Sequence, residues 1–317
     1  MKPKITKVVF LGSKELGLCA LKTIHSVSPG SLRGVMTFDD RTDSRTKLKD
    51  YQAFTRANKI PLFIVKDNKH AEELIRELKP QLCFVTGWYW LISEATLSSV
   101  AFGFVILHNS LLPRLRGAAP LVWAMINEDK RIGFSLFIPG KGIDDGPILA
   151  QGAVNVGADD YIGDVIKKLE IKIKQVLQKA YPTILNGTIK PKRQNHALVT
   201  FGAGRIPSDG NINWTRPARQ VYNFIRAQSD PFPGAFTHYG KSVMKIWRAK
   251  LHKGRYHGTP GQVAAITSQG VYIICGDDQA IIAENVEIDG QRGNPKDFVR
   301  TVKARFTDRT VLLREQF

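Results

Sequence analysis

Two short stretches carry side chains whose types and spacing suit acid–base chemistry: "FVILHNSLLPRLRG" at 104–117 and "GIDDGPI" at 142–148. In the first, an apolar run of strand length delivers His108 into a loop stiffened by Pro113 and closed by Arg116-Gly117. In the second, Asp144 and Asp145 stand between glycines. A carboxylate that reaches an imidazole orients it and favours its protonated form, and such a pair can move a proton to or from a reacting group. Alone, the histidine reads as a structural residue at a strand end and "GIDDG" as a turn. Together, with the clamped loop between them, they read as a catalytic pair.

The elements that must position this pair follow from apolar runs and periodicity. "KITKVVFLG", "LRGVMTF", "PLFIV", "QLCFVTGW", "FGFVILH" and "RIGFSLFIP" read as strands. "SKELGLCALKTIHS", "YQAFTRANK", "HAEELIRELKP" and "PLVWAMINED" read as the helices between them. Strands alternating with helices argue an α/β, doubly wound, mostly parallel sheet, in which ligands sit outside the carboxyl ends of the strands. His108 lies at such an end. Apolar residues at 162, 165, 166, 169, 173, 176, 177 and 180 mark a one-sided helix, expected to stop at Pro182. After a helix "RPARQVYNFIRAQ", short strands with turns ("GAFTHYG", "SVMKIWRAKL", "GQVAAIT", "GVYIICGD", "QAIIAENVEID") argue a small β-barrel-like, OB-type domain. The expected organisation is a catalytic domain over 1–189, a linker over 190–204 rich in Gly, Pro and basic residues, and a β-rich domain over 205–317.

Bulk properties narrow the function classes. The chain has 317 residues, 43% hydrophobic and 23% charged, an ordinary folded composition. Cys19, Cys83 and Cys275 show no pairing or zinc spacing and read as buried free thiols of a reducing compartment. The first residues lack a true signal-peptide core, and no window approaches a membrane span of roughly 20 apolar residues, so the expected location is cytoplasmic with no membrane partner. "FLGSKELG" lacks the dinucleotide fingerprint, no P-loop is present, and the seven histidines are too scattered for a metal cluster. A net charge of +18, with 13 Lys+Arg against 2 Asp+Glu over 190–255, favours anionic partners. Plain RNA binding needs exposed aromatics among the basic residues; Trp247 and Tyr239 alternate with apolar residues and read as core.

"HNSLLPRLRGAAPLVWAMIN" followed by "GFSLFIPGKGIDDGPI", with "RIPSDGNINW", "VYNFIRAQSDPFPGAF" and "VMKIW" further on, closely resembles the formyltransferases that use N10-formyltetrahydrofolate. The likeness covers nearly the whole chain. It implies a folate-binding doubly wound domain joined to a small open-barrel domain. It also implies a catalytic trio of Asn, His and Asp, of which His108 and Asp144 match residue for residue. The Asn belongs two before the histidine, where this chain has Ile106. Isoleucine offers no donor to an oxyanion, and losing one such donor typically costs about 10²–10³ in rate. Asn109 points to the other face if the strand continues through it. By the same resemblance, Gly87, Trp88, Leu91, Ile138 and Gly142 contact the folate, whereas Trp90 reads as core. Asn109, Ser110, Leu111, Pro113 and Arg116 line the acceptor side, with Arg116 either a planar fork for an anionic group or a solvated loop arginine.

Two acceptors fit the resemblance: an amino sugar carried on a nucleotide, for a surface glycan, or initiator methionyl-tRNA. The basic later half suits tRNA, since phosphate contacts dominate nucleic-acid affinity. A tRNA enzyme is also expected to carry a basic loop near 39–50, and "DDRTDSRTKLKD" balances its basic residues with acidic ones. "GRIPSDG", "TGWYWLIS", "LVWAMIN" and "DPFPGAF" look more like the sugar-nucleotide branch, which is the expectation carried forward. Ile106 alone supports a further alternative, a non-catalytic relative that binds folate or nucleotide. The barrel strands offer a surface for a homodimer.

Overall fold

The computed structural model describes residues 4–307. They form two compact units. The first holds the chain up to Pro120 with Lys130–Val156 and Val165–Ala203; the second holds Leu121–Asp129, Gly157–Asp164 and the chain from Gly204 onward.

In chain order the first unit brings β1 (Val8–Gly12), α1 (Lys14–Val27), β2 (Leu32–Phe38), α2 (Leu48–Ala57), β3 (Leu62–Val65), α3 (Asn68–Leu78), β4 (Leu82–Thr86), α4 (Glu94–Ser99), β5 (Phe104–His108) and β6 (Arg116–Gly117). α5 (Pro120–Ile126) follows and falls in the second unit from Leu121; then come β7 (Arg131–Phe137), β8 (Ile148–Asn155), α6 (Ile162–Leu185), in the first unit from Val165 onward, and β9 (Phe201–Gly202). The main sheet runs β3-β2-β1-β4-β5-β7-β8. The pairings from β3 to β5 are parallel and the last two are antiparallel, as a mostly parallel doubly wound sheet requires. Strands covered on both faces read as continuous apolar runs, and β1 and β4 are buried at every position.

Side-chain alternation divides this sheet into two faces. Phe10, Phe84, Tyr51 and Tyr181 make ring contacts on one. Val9, Leu11, Cys83, Val85 and Phe104 cluster with Ala71 and Ile75 of α3 on the other, and Ile106, Trp88 and Trp90 pack against them. His108 is two residues beyond Ile106 and shares that face. The register Thr86↔Leu107 brings the chain after β4 out of the sheet level with His108.

Four features depart from the expectations. β8 was not legible as a strand, because its residues are half-buried and interrupted by Gln151 and Gly152. The short α4 follows the "TGWYWLIS" loop unannounced. Pro182 does not stop α6, which continues to Leu185. A proline so near a helix end forfeits one bond to the carbonyl four residues back, and the helix still closes Asn186 N–H onto the Pro182 carbonyl at 3.1 Å. Gly187, at φ 67°, is the actual terminator. The stretch expected as a linker is structured within the first unit: Lys192 and Ile148 exchange backbone bonds of 2.7 Å in both directions, and β9 pairs with β6 in parallel.

The second unit comprises α7 (Ala218–Gln228), β10 (Ala235–Tyr239), β11 (Ser242–His252), β12 (Val263–Thr267), β13 (Gly270–Ile274), β14 (Ala280–Ile288), β15 (Gln291–Gly293) and β16 (Phe306–Thr307). Its antiparallel sheet runs β12-β13-β14-β11-β10-β16, with β15 beside β14. It curls until its ends meet: Phe306 N–H reaches the Gly261 carbonyl and Val263 N–H the Ala304 carbonyl, at 2.8 and 3.1 Å. This is the half-barrel expected. Trp247 is buried and Tyr239 packs against the core, so neither is a free stacking platform. All three cysteines are free and buried; burial pushes the Cys19 thiol up to about 11 and the Cys275 thiol to about 12.

The loop after His108 is stitched onto β7 and β8. Ser135, fully buried on β7, donates to the Ser110 carbonyl at 2.7 Å and accepts from Leu112 N–H at 3.0 Å. Gln151 of β8 donates to both the Leu112 carbonyl and Ser135 Oγ. Removing a partner from a buried polar group costs about 1–3 kcal/mol. Ser135→Ala is therefore expected to lower unfolding stability by about that amount, read as a shifted urea midpoint. An unchanged midpoint shows that this stitch does not hold the loop.

Candidate active site

β5 ends at His108, and the next residues turn away from the sheet. The imidazole Nε2 lies 2.9 Å from the Leu115 carbonyl. A carbonyl only accepts, so Nε2 carries a proton in this arrangement. Nδ1 lies 3.4 Å from Asp144 Oδ2, with the two side chains only 10% and 21% exposed. The same Oδ2 accepts the Gly117 N–H at 2.8 Å. The two stretches singled out in the sequence therefore meet.

The backbone that achieves this is strained. Leu115, Ala119 and Asp144 all have positive φ, between 46° and 52°, a conformation costing non-glycine residues roughly 1–2 kcal/mol each; aspartate tolerates it best. Gly117 sits at φ 90°, and a Cβ there would come within 2.8 Å of the Gly202 carbonyl oxygen. Only glycine can occupy that position and still aim its N–H at Asp144. Such a concentration of unfavourable backbone persists only where the surroundings over-determine it.

The surroundings come from residues 192–202. Gln194, 6% exposed, donates through Nε2 to the carbonyls of Asp144 and Gly146 at 2.8 and 2.7 Å. Its Oε1 accepts Nε and Nη2 of Arg116, itself 5% exposed. Arg116 also approaches His196 Nδ1. Thr200 accepts the Leu115 N–H on Oγ1 and the Arg116 N–H on its carbonyl. Sequence reasoning missed Gln194 and Thr200, because nothing local marks them; their partners lie 48 to 85 residues away.

Other expected site residues are distributed as follows. Ile106 is half-buried between Val85 and Phe137 in register and contributes an apolar wall. Asn109 Oδ1 is buried without a partner. Ser110 is buried and bonds the Arg114 carbonyl, and Leu111 packs over Gly133. Pro113 follows a cis peptide bond. The expectation of an open Arg116 fork is corrected: the guanidinium is turned inward because Gln194 gives it a buried planar partner. Gly87 has φ 60° and faces the Ser13 carbonyl so closely that a Cβ would lie 2.8 Å away; Ser13 Oγ bonds its carbonyl. Trp88 packs on Phe38 and Trp90, and both tryptophans are half-buried against the same apolar cluster, while Leu91 is almost fully exposed. The Ile138 N–H bonds the Pro147 carbonyl and the Gly142 N–H bonds Asp145, folding 138–147 into a tight hairpin. A cleft of 610 Å³ beside this hairpin is lined by Asp145, Pro147, Pro191, Arg193, Gln194 and His196. It includes neither His108 nor the 87–91 loop and is not the reaction centre. Among the described residues, no cluster of His, Cys, Asp and Glu could hold a metal, and no helix is long and apolar enough to cross a membrane.

Residues 6–184 match the family described as formyl transferase, and residues 205–303 match its C-terminal domain. The chain is 29% identical over 292 residues to a methionyl-tRNA formyltransferase of Acetivibrio thermocellus, covering 90% of this chain and 93% of that one. Among solved structures, an N-formyltransferase of Helicobacter canadensis, in complex with folinic acid and dTDP-3-aminofucose, shares the fold. Its TM-score is 0.67 at 19% identity, over 88% of this chain and 99% of that one. A methionyl-tRNA formyltransferase from Clostridium thermocellum has a TM-score of 0.57 at 18% identity, over 90% of this chain and all of that one. With the two domain matches together covering most of its length, the chain belongs to the formyl transferase family and is a transferase enzyme.

Proposed function

We propose that this enzyme moves the formyl group of N10-formyltetrahydrofolate onto the primary amine of an amino sugar carried on a nucleotide. The observation that carries the acceptor choice is the state of the loop after β2. Arg41 pairs with Asp39, Arg45 with Asp43, and Lys47 with Glu15. Lys14 joins Asp40 and Asp43 beneath it. Burial works against the Asp43 carboxylate, but hydrogen bonds from Arg45 and Lys14 outweigh it and hold its carboxyl well below the usual range. Three of the four cations at 39–50 are paired, Arg41 and Arg45 with the loop's own aspartates and Lys47 with Glu15, which leaves less charge for phosphates, and phosphate neutralisation is what supplies nucleic-acid affinity. The strong net charge still draws a small diphosphate-bearing acceptor. The methionyl-tRNA reading rests on the names of the relatives at 28–29% identity and is the alternative the assay below decides.

The loops fit a folate. Trp88 Nε1, a donor, is buried without a partner, and a pterin carries acceptors complementary to it. Gly87, Trp88, Leu91, Ile138 and Gly142 would hold it. When bound, the folate supplies an electrophilic formyl carbon. His108 can turn its Nε2 proton from the Leu115 carbonyl to the formyl oxygen, where negative charge grows as the acceptor nitrogen bonds to carbon. Asp144, anchored by Gly117, fixes the ring and balances its charge. As the old C–N bond breaks and its electron pair stays on the departing nitrogen, His108 relays the proton given up by the acceptor amine. Ile106 adds no donor, so the charge rests on His108.

His108→Ala and Asp144→Asn are each expected to lower kcat by about 10²–10⁴ while the melting temperature stays near that of the native protein. Near-normal turnover in either removes the pair from the mechanism. Ile106→Asn restores a donor and is expected to raise kcat by about tenfold or more; an unchanged rate means another group already serves the oxyanion. The deciding assay offers N10-formyltetrahydrofolate with initiator methionyl-tRNA and with a panel of amino-sugar nucleotides, product mass being the readout. Formylation of a sugar nucleotide alone is expected. Formylation of the tRNA alone reverses the acceptor, and folate binding without any product supports the non-catalytic reading.

A further inference from the structure

We propose that Gln194 is a positioning residue for formyl transfer: its side-chain amide sets the place of Asp144, and through Asp144 the orientation of His108. The inference rests on the reading that His108 and Asp144 run the transfer. Asp144 sits at a positive φ in a glycine-flanked turn and has no helix or strand to fix it. What holds its main chain is the Gln194 amide, which donates to the carbonyls of Asp144 and Gly146 at once. What holds its side chain in place is the Gly117 N–H, and Gly117 adjoins Arg116, whose guanidinium closes on Gln194 Oε1. One planar amide thus joins the loop carrying the carboxylate to the loop carrying its anchor. Three of its four bonds are buried and the one to the Asp144 carbonyl is partly so, a setting where unmade bonds are costly and made ones rigid. The same strap governs the other side of the imidazole, because Thr200 binds the Leu115 N–H next to the carbonyl that faces His108 Nε2.

Gln194 does not touch His108, and of the residues expected on the acceptor side it meets only Arg116, whose guanidinium it holds turned inward, so its effect is expected on rate more than on binding. A misplacement of about 1 Å in a catalytic group can cost about 10²-fold.

Gln194→Glu tests this directly. The carboxylate still offers an acceptor to Arg116 but turns an oxygen, instead of two donated hydrogens, toward the carbonyls of Asp144 and Gly146. Gln194→Met, of similar length, removes every bond and is the companion variant. For both, kcat is expected to fall by about 10–100-fold, with KM for donor and acceptor within about threefold of the parent. A second readout needs no turnover. The Gly117 amide resonance, which reports its bond to Asp144 Oδ2, should shift in the variants, while amides of β1 and β2 stay in place. A folded Gln194→Glu enzyme with kcat within about threefold of the parent, or with an unmoved Gly117 resonance, overturns the proposal. If neither variant folds, Gln194 is a folding residue and the proposal fails. Absence of transfer by the parent enzyme overturns the formyl-transfer reading instead, and the Gly117 resonance still decides the role of Gln194.

Discussion

The site depends on one carboxylate oxygen. Asp144 Oδ2 takes the Gly117 N–H and faces His108 Nδ1, so it joins three chain segments that no regular element connects. A charge that is four-fifths buried acts more strongly than one in water, but only if the backbone delivering it is held. That requirement accounts for much around it: a glycine at 117 that allows no Cβ, positive φ at Leu115 and Asp144, and the Gln194 amide behind the turn. The strain of these backbone positions, of order 1–2 kcal/mol each, is offset by the ladder between β6 and β9 and by the buried Arg116–Gln194 bonds.

Charge in this protein serves structure before it serves partners. In the second unit Arg248 lies over Tyr161 at 4.0 Å, Arg226 over Tyr222 at 4.9 Å, and Arg292 over Trp247 at 4.6 Å. Arg205 sits over Trp123 and Phe224. Stacked guanidinium groups contribute to packing through their planar faces. Several of the basic residues counted over 190–255 are therefore fixed within the fold, as Arg116 is in the first unit. The net charge of +18 remains a long-range field that attracts anions, which is a statement about approach and not about a contact surface.

Legibility in the sequence follows the range of the interactions. β1, β4 and β5 were readable because burial on both faces writes them as apolar runs, and the half-barrel because its turns recur at short spacing. His108 and Asp144 were readable because each stands at the end of such an element. β8 was not, since its half-buried alternation is broken at Gln151 and Gly152. β6 and β9 were invisible at two residues each. Arg116 was misread as solvent-facing because its partner Gln194 lies 78 residues on, inside a stretch whose Gly, Pro and Lys content looks like a linker. Composition reports flexibility of the unfolded chain, and cannot report that Lys192 and Phe201 are taken up by ladders.

Ile106 is where fold and chemistry part company. On β5 its side chain must pack beside Val85 and Phe137 on a face otherwise filled by apolar groups, and a β-branched residue suits a strand there. An amide at that position has to leave part of its polarity unsatisfied until an oxyanion arrives. The isoleucine carries no such demand and offers no donor, and β5 still ends at His108 beside the Asp144 turn. In the proposed mechanism the missing donor would serve only charge that grows in the transition state, so its loss is expected on kcat rather than on ground-state binding. The loops at 87–91 and 138–142, which the proposed mechanism uses for binding, are held by their own bonds to Ser13 and Asp145, with neither bond passing through residue 106.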